Sequence, residues 1–184
     1  MGNPFTIKTP NLILRKLSMN DIDDFLEYRS DPEVAKFQGF SPMTIKEAES
    51  FIEHQIPVEF KNPGEWFQYG IEEKVSKRII GDGAVKFFKE EIRMVELGIT
   101  LSRSHQNKGF AKEAMSHLIE FLFQDKDFHR VMAVVDADNL NAARLLTSLH
   151  FRQEGYFKEN IFFKGKWGSE IQFAMLREDW ENKK

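Results

Sequence analysis

Between residues 95 and 135 the hydrophobic period changes twice, and that succession limits what the chain can become. Val95, Leu97, Ile99 and Leu101 alternate with Glu96, Gly98 and Thr100. A period of two puts the apolar set on one strand face and Glu96 on the other. The hexapeptide Gln106-Asn107-Lys108-Gly109-Phe110-Ala111 interrupts it. From there Ala111, Ala114, Met115, Leu118, Ile119 and Leu122 recur at helical spacing, with Lys112, Glu113, Ser116, His117 and Glu120 on the wet side. Val131-Met132-Ala133-Val134-Val135 is apolar without alternation, as in a strand covered on both faces. Strand, glycine-bearing turn, helix and strand in that order predict a right-handed βαβ crossover.

A helix that opens at such a turn presents unpaired N–H groups and the positive end of its dipole, which together make an anion site. Gly109 permits close backbone approach or positive φ, and Lys108 and Arg103 add charge. The chain has neither the P-loop pattern nor the dinucleotide fingerprint, so the anion belongs to another phosphate class.

The segment Leu97-Gly98-Ile99 through His105-Gln106-Asn107-Lys108-Gly109-Phe110-Ala111-Lys112-Glu113-Ala114 resembles the acyl-coenzyme A signature of the GNAT N-acetyltransferase superfamily, closest to its RimJ/RimL-type branch. The flanks resemble it too. Thr9-Pro10-Asn11-Leu12-Ile13-Leu14-Arg15 is similar to the branch's opening, Asn139-Leu140-Asn141-Ala142-Ala143-Arg144 with Leu149-His150-Phe151 and Glu154-Gly155 to its later segment, and Arg177-Glu178-Asp179-Trp180 to its ending. His150 stands where the family usually has glycine, which leaves the geometry of that turn open.

Composition fits one soluble domain over residues 1–184: 41% hydrophobic, 30% charged, net charge −3. No basic footprint for nucleic acid is evident. Without cysteine there is no disulfide framework, thiolate nucleophile or cysteine metal site, and the five histidines show no ligand spacing, so no metal is expected. No signal-peptide core or membrane-length apolar run is seen, which predicts a cytoplasmic protein away from membranes; a monomer or homodimer is expected.

Other elements follow from local signals. Residues 11–15 read as a strand. Ser18 caps a helix burying Ile22, Phe25 and Leu26 that ends at Asp31-Pro32, and Thr44-Ile45-Lys46-Glu47 is a capping box for a helix burying Ala48, Phe51, Ile52 and Ile56. Strands follow at residues 66–72 and 79–88, with Gly81 and Gly83 read as a bulge or close backbone approach. After a short loop at residues 136–139 a helix runs to Leu149, burying Ala143, Leu145, Leu146 and Leu149, and a closing hairpin turns over residues 164–168. The resemblance implies the GNAT fold for this mixed α/β chain: a twisted, mostly antiparallel sheet with one splayed parallel pair, flanked by about four helices.

It also implies acetyl transfer from acetyl-CoA to a primary amine, a small molecule or a protein N-terminus, leaving coenzyme A. The amides of Gln106, Asn107, Lys108, Gly109, Phe110 and Ala111 would hold the diphosphate. Main-chain groups of Gly98, Ile99, Thr100 and Leu101 would hold the pantetheine arm, and the Ile99 N–H would polarise the thioester carbonyl. Glu96 would serve as base, against the alternative of a solvated carboxylate paired with lysine. Asn139 would reach the pantetheine or cap its helix. Phe37, Phe40, Trp66 and Trp167 would line the acceptor cleft, or pack as core. Ala142 and Leu146 replace hydroxyl residues common in the family, so no general acid is visible; a non-catalytic acyl-CoA-binding sensor or scaffold stays open, as does an unrelated phosphate binder.

Overall fold

The computed structural model describes residues 5–125 and 128–182. Eight strands form one sheet in the order β1-β2-β3-β4-β5-β6-β8-β7. They are β1 (Thr6–Lys8), β2 (Leu12–Lys16), β3 (Trp66–Glu73), β4 (Ile79–Phe87), β5 (Met94–Leu101), β6 (Arg130–Asp136), β7 (Arg152–Phe163) and β8 (Lys166–Leu176). Every neighbouring pair is antiparallel except β5 and β6, which are joined through the central helix and run parallel.

Among the described residues six α-helices accompany the sheet: α1 (Ile22–Arg29), α2 (Pro32–Ala35), α3 (Ile45–Gln55), α4 (Phe110–Asp125), α5 (Leu140–Ser148) and α6 (Arg177–Glu181). The two beyond the expected four, α2 and α6, are single turns. Asp31 does end α1, but its carboxylate accepts from Glu33 N at 2.9 Å with Pro32 in the first position, so it also starts α2. Thr44 and Glu47 make the predicted capping box of α3, with Thr44 N donating to Glu47 Oε2 at 2.7 Å. Ile56, expected in the core, lies just past the helix and is exposed.

Two cores clothe the sheet. On one face α4 and α5 pack Ala114, Met115, Leu118, Leu122 and Leu146 against Phe67, Tyr69, Val85, Val95, Leu97, Val131 and Phe173. On the other, α1 and α3 bring Phe25, Tyr28, Ala48 and Ile52 together with Ile79. Each Leu, Ile, Val, Met or Phe side chain among them withdrawn from water contributes roughly 1.5–3 kcal/mol. β6 departs from expectation here. Val131 and Ala133 are buried, whereas Met132, Val134 and Val135 are half-buried, so the strand is not covered evenly on both faces.

A buried pin fixes α1 to the sheet. Asp82 of β4 accepts from Arg29 Nε at 3.1 Å and Nη2 at 2.5 Å, from the Tyr28 hydroxyl at 2.7 Å, and from the Gln68 amide. The Arg29 guanidinium is roofed by Phe40, 4.0 Å from its ring centroid. Gly83 has the close-approach role expected of it: the Tyr69 ring crosses it, and a Cβ there would collide with the hydroxyl. The last hairpin turns tighter than expected, on Lys164 and Gly165 alone, at φ 49° and 82°; Lys166, Trp167 and Gly168 already belong to β8.

Candidate active site

The central feature is a split in the sheet. β5 and β6 pair only at Met94–Arg130, Val95–Val131 and Glu96–Met132, although both strands continue, to Leu101 and Asp136. β5 stays paired with β4 to the end of its length. Main-chain groups alternate in direction along a strand. Ser102 N donates to Ile80 O at 2.9 Å, so Gly98 and Thr100 likewise turn their main-chain groups toward β4, while Ile99 and Leu101 turn theirs toward the gap. Ala137 N donates to Ser169 O at 2.9 Å, which by the same alternation turns Val134 toward the gap from the other side. The split thus exposes two strand edges to an extended ligand.

At the wide end of the split lies the turn before α4. Asn107 and Gly109 adopt positive φ, 59° and 86°, and the first helical bond is Glu113 N to Gly109 O at 2.9 Å. Among the described residues, the amides of residues 108–112 meet no acceptor. A Cβ added at Gly109 would meet nothing within 4 Å, so the turn is open to solvent rather than blocked. Gln106 is engaged otherwise: its side chain donates to Leu101 O at 3.0 Å and holds the turn to the strand end. Lys108 is exposed, and Arg103 lies 3.4 Å from Asp31.

Glu96 sits where the strands part, opposite Lys86 on β4 and Met132 on β6. Its pKa is raised, first by burial; Lys86 pulls it down and Glu170 on β8 pushes it up. The Lys86 ammonium lies 5.7 Å from the Trp66 ring and 5.6 Å from that of Phe88, and Trp66 is its partner on β3. Trp66, Lys86 and Glu96 therefore form one row across the sheet.

Of the aromatic residues expected in the acceptor wall, Phe37 lines a cleft with Pro32, Ala35, Lys36, Ser41, Pro42, Asp136, Phe163, Lys164 and Lys166. Phe40 is half-buried over Arg29 and packs with the α1–α3 core. Trp167 is turned away: Lys166 faces the cleft, so its neighbour in the strand faces the opposite side, where its ring meets Phe162 at 5.5 Å. Asn139 caps α5, accepting from Ala142 N at 3.1 Å. His150 adopts φ 68°, the left-handed conformation a glycine would supply.

Three contacts had no signal in the local sequence pattern. Gln38 Nε2 reaches Ile99 O at 3.4 Å, tying the α2–α3 connection to the split. Lys164 donates to the carbonyls of Ala35 and, at 2.9 Å, Phe40, so the hairpin tip is tied to the same connection. Glu113, assigned to the wet helix face, accepts from Thr9 Oγ1 at 2.5 Å and from Asn11 N at 2.7 Å, clamping the β1–β2 turn to α4. Among the described residues no three or more of His, Cys, Asp and Glu converge as a metal site. No helix among them is long and apolar enough to cross a membrane.

Residues 11–152 match the family model described as acetyltransferase (GNAT) domain. The chain is 31% identical over 176 residues to the uncharacterized N-acetyltransferase p20 of Bacillus licheniformis, covering 95% of this chain and 98% of that one. It is 30% identical over 126 residues to the ribosomal protein uS5-alanine N-acetyltransferase of Escherichia coli, covering 66% of this chain and 63% of that one. A GNAT-family acetyltransferase of Bacillus anthracis superposes with TM-score 0.85 at 25% identity, covering 95% and 99%. The fold is also that of spermidine N-acetyltransferase from Vibrio cholerae, solved with CoA and spermine, at TM-score 0.79, 21% identity and coverage of 94% and 99%.

Proposed function

The chain belongs to the GNAT family of N-acetyltransferases, and from that premise we propose that it transfers acetyl from acetyl-CoA to a primary amine in a ternary complex formed at the β5–β6 split. One observation carries the reading. Strand pairing stops at Glu96 and Met132, leaving the main-chain groups of Ile99, Leu101 and Val134 facing a gap that ends at open helix amides. An anionic carrier with a peptide-like arm fits both parts of that surface: the amides of residues 108–112 suit a diphosphate, and the strand edges suit an arm that pairs as a strand does.

Acetyl-CoA supplies a thioester whose carbonyl carbon the amine attacks and whose sulfur leaves as thiolate. The Ile99 N–H, fixed in direction by the β4 pairing of its neighbours, donates to the carbonyl oxygen as charge develops there. Glu96 receives the amine proton. An alkyl ammonium has pKa about 10.4, so near pH 7 a carboxylate is needed both to attract it and to drain its proton. Glu96 lies three residues from Ile99 along β5, roughly 10 Å of strand, which favours transfer through water over direct contact. A thiol of pKa about 8.5 leaves as thiolate at pH 7 for about 2 kcal/mol, so the absence of hydroxyls at Ala142 and Leu146 does not block the reaction. Phe37 and Trp66 bound the approach of the amine.

The test is thiol release from acetyl-CoA across a panel of amines, with product masses, beside direct measurement of CoA binding. Acetylated product with at least one amine is expected. Tight CoA binding with every amine inert would replace this reading with a binding module, and no CoA binding would remove both.

A further inference from the structure

The cleft between α2, the α2–α3 connection and the β7–β8 turn has a volume of about 360 Å³, the scale of a small-molecule site. Its charge is unbalanced. Lys36, Lys164 and Lys166 line it against a single carboxylate, Asp136. Among the described residues none of the three is closely neutralised. Lys164 is held by the carbonyls of Ala35 and Phe40, which orient the ammonium but cancel no charge. Burial without an acidic partner pushes its pKa down. The Lys36 ammonium lies 5.1 Å from the Phe37 ring. Lys166 comes only within 3.9 Å of Asp138, with both side chains more than two-thirds exposed.

The sheet floor next to this rim has the opposite sign. Glu170 is paired with Asp136 across β8 and β6, and Glu170 acts electrostatically on Glu96, so three carboxylates share that region. Gln38, from the same connection that carries Lys36 and Phe37, reaches the Ile99 carbonyl. The rim is therefore close to where the thioester is placed. A ligand spanning floor and rim meets negative charge at one end and positive charge at the other.

We propose that the acceptor is an amine that also bears an acid group, its ammonium drawn to the carboxylates of the floor and its carboxylate or phosphate seated among Lys36, Lys164 and Lys166. The proposal rests on the acetyl-transfer reading and narrows its acceptor. A polycation is disfavoured, because its second ammonium would face the three lysines; a neutral tail leaves them unused.

The experiment compares four amines of similar size at saturating acetyl-CoA: 4-aminobutyrate, O-phosphoethanolamine, n-butylamine and putrescine. kcat/KM for an acid-bearing member is expected to exceed that for n-butylamine at least tenfold, with putrescine slowest. The order of the first two tells carboxylate from phosphate. In a Lys36→Gln/Lys166→Gln variant the acid-to-neutral ratio is expected to fall close to one. Equal rates across the panel, or putrescine fastest, overturn the proposal and leave the transferase reading intact. An intact ratio with weakened CoA binding also overturns it, assigning the lysines to the coenzyme's phosphates. If none of the four is acetylated, titration of the four amines into the CoA complex decides the cleft, while the wider amine panel decides the transferase reading. Tenfold tighter binding of an acid-bearing member upholds the charge assignment; equal binding ends it.

Discussion

Glu96 stands between Lys86 and Met132 at the fork of the sheet, and burial raises its pKa. A carboxyl whose folded pKa lies above its unfolded value binds more protons when folded. Its contribution to stability is full below the unfolded pKa and is lost as pH rises through the folded one. At pH 7, then, the charge that would accept a proton from the amine contributes nothing to folding. Glu96→Gln is expected to lower kcat about 100-fold, remove the acidic limb of the kcat/KM profile, and leave the melting temperature unchanged or higher. A profile identical to the parent's would exclude Glu96 as base. Gly109 makes a second contrast. Its φ of 86° with open space around it means a side chain meets strain, not a clash. Gly109→Val is expected to raise the Kd for CoA at least tenfold with a fall in melting temperature of only a few degrees, whereas Gly83→Ala forces a methyl onto Tyr69 and is expected to be read in folding assays instead. Residues of this kind were legible because their signals are local: a glycine in a turn, an acid on the polar side of an alternating strand, an asparagine before a helix. Gln38 and Lys164 were not, because their contacts cross 61 and 129 residues of chain, and a lone lysine or glutamine in a loop carries no period. Trp167 was expected in the acceptor wall as part of a turn over residues 164–168; once the turn proved to be Lys164-Gly165 alone, strand alternation sent its ring to the other side.

Among the elements, those with several repeats of one period were readable in outline: α3, α4 and β5 begin and end within a few residues of their expected bounds, and β6 was marked instead by its unbroken apolar run. β1, with three residues, and α2, with four, are too short to show a period and exist because of neighbours. β1 pairs with β2, whose turn Glu113 clamps, and α2 is nucleated by Asp31 and Pro32. The placement of α1 has a sharper cause in the Arg29–Asp82 pair, where the two side chains are 5% and 1% exposed. Removing one member of such a pair strands the other charge away from water. Arg29→Met keeps the contacts with Phe25, Phe40 and Phe51 but leaves Asp82 with only the neutral donors Tyr28 and Gln68. It is expected to cost about 3–5 kcal/mol in urea unfolding. Thr44→Ala, which removes the hydroxyl cap on an exposed helix end, is expected to cost about 1 kcal/mol. Equal costs for the two would mean that α1 is held by its apolar contacts and that the ion pair is incidental.

At the scale of the whole molecule, the sheet is continuous on either side of one interruption. β1 to β5 form one ladder, β6, β8 and β7 another, and only three residue pairs join them. A ligand that pairs with both open edges would complete the missing rungs, so its binding energy adds directly to the stability of the junction. Saturation at about 100 times Kd raises unfolding free energy by about 2.7 kcal/mol, which for a domain of this size corresponds to roughly 5–10 °C in melting temperature. The location of the effect is more telling than its size. In hydrogen exchange, the amides of Ile99, Leu101, Val134 and residues 108–112 are expected to exchange freely without coenzyme and to gain protection when CoA is added. Gly98 and Thr100, already turned to β4, should change little. Alternation of protection along a single strand is a signature that general rigidification cannot produce, because rigidification would slow neighbouring amides alike. If protection instead spread evenly over β5, or settled only at residues 108–112, the arm would not lie in the split, and the Ile99 N–H would lose its assigned part in polarising the thioester.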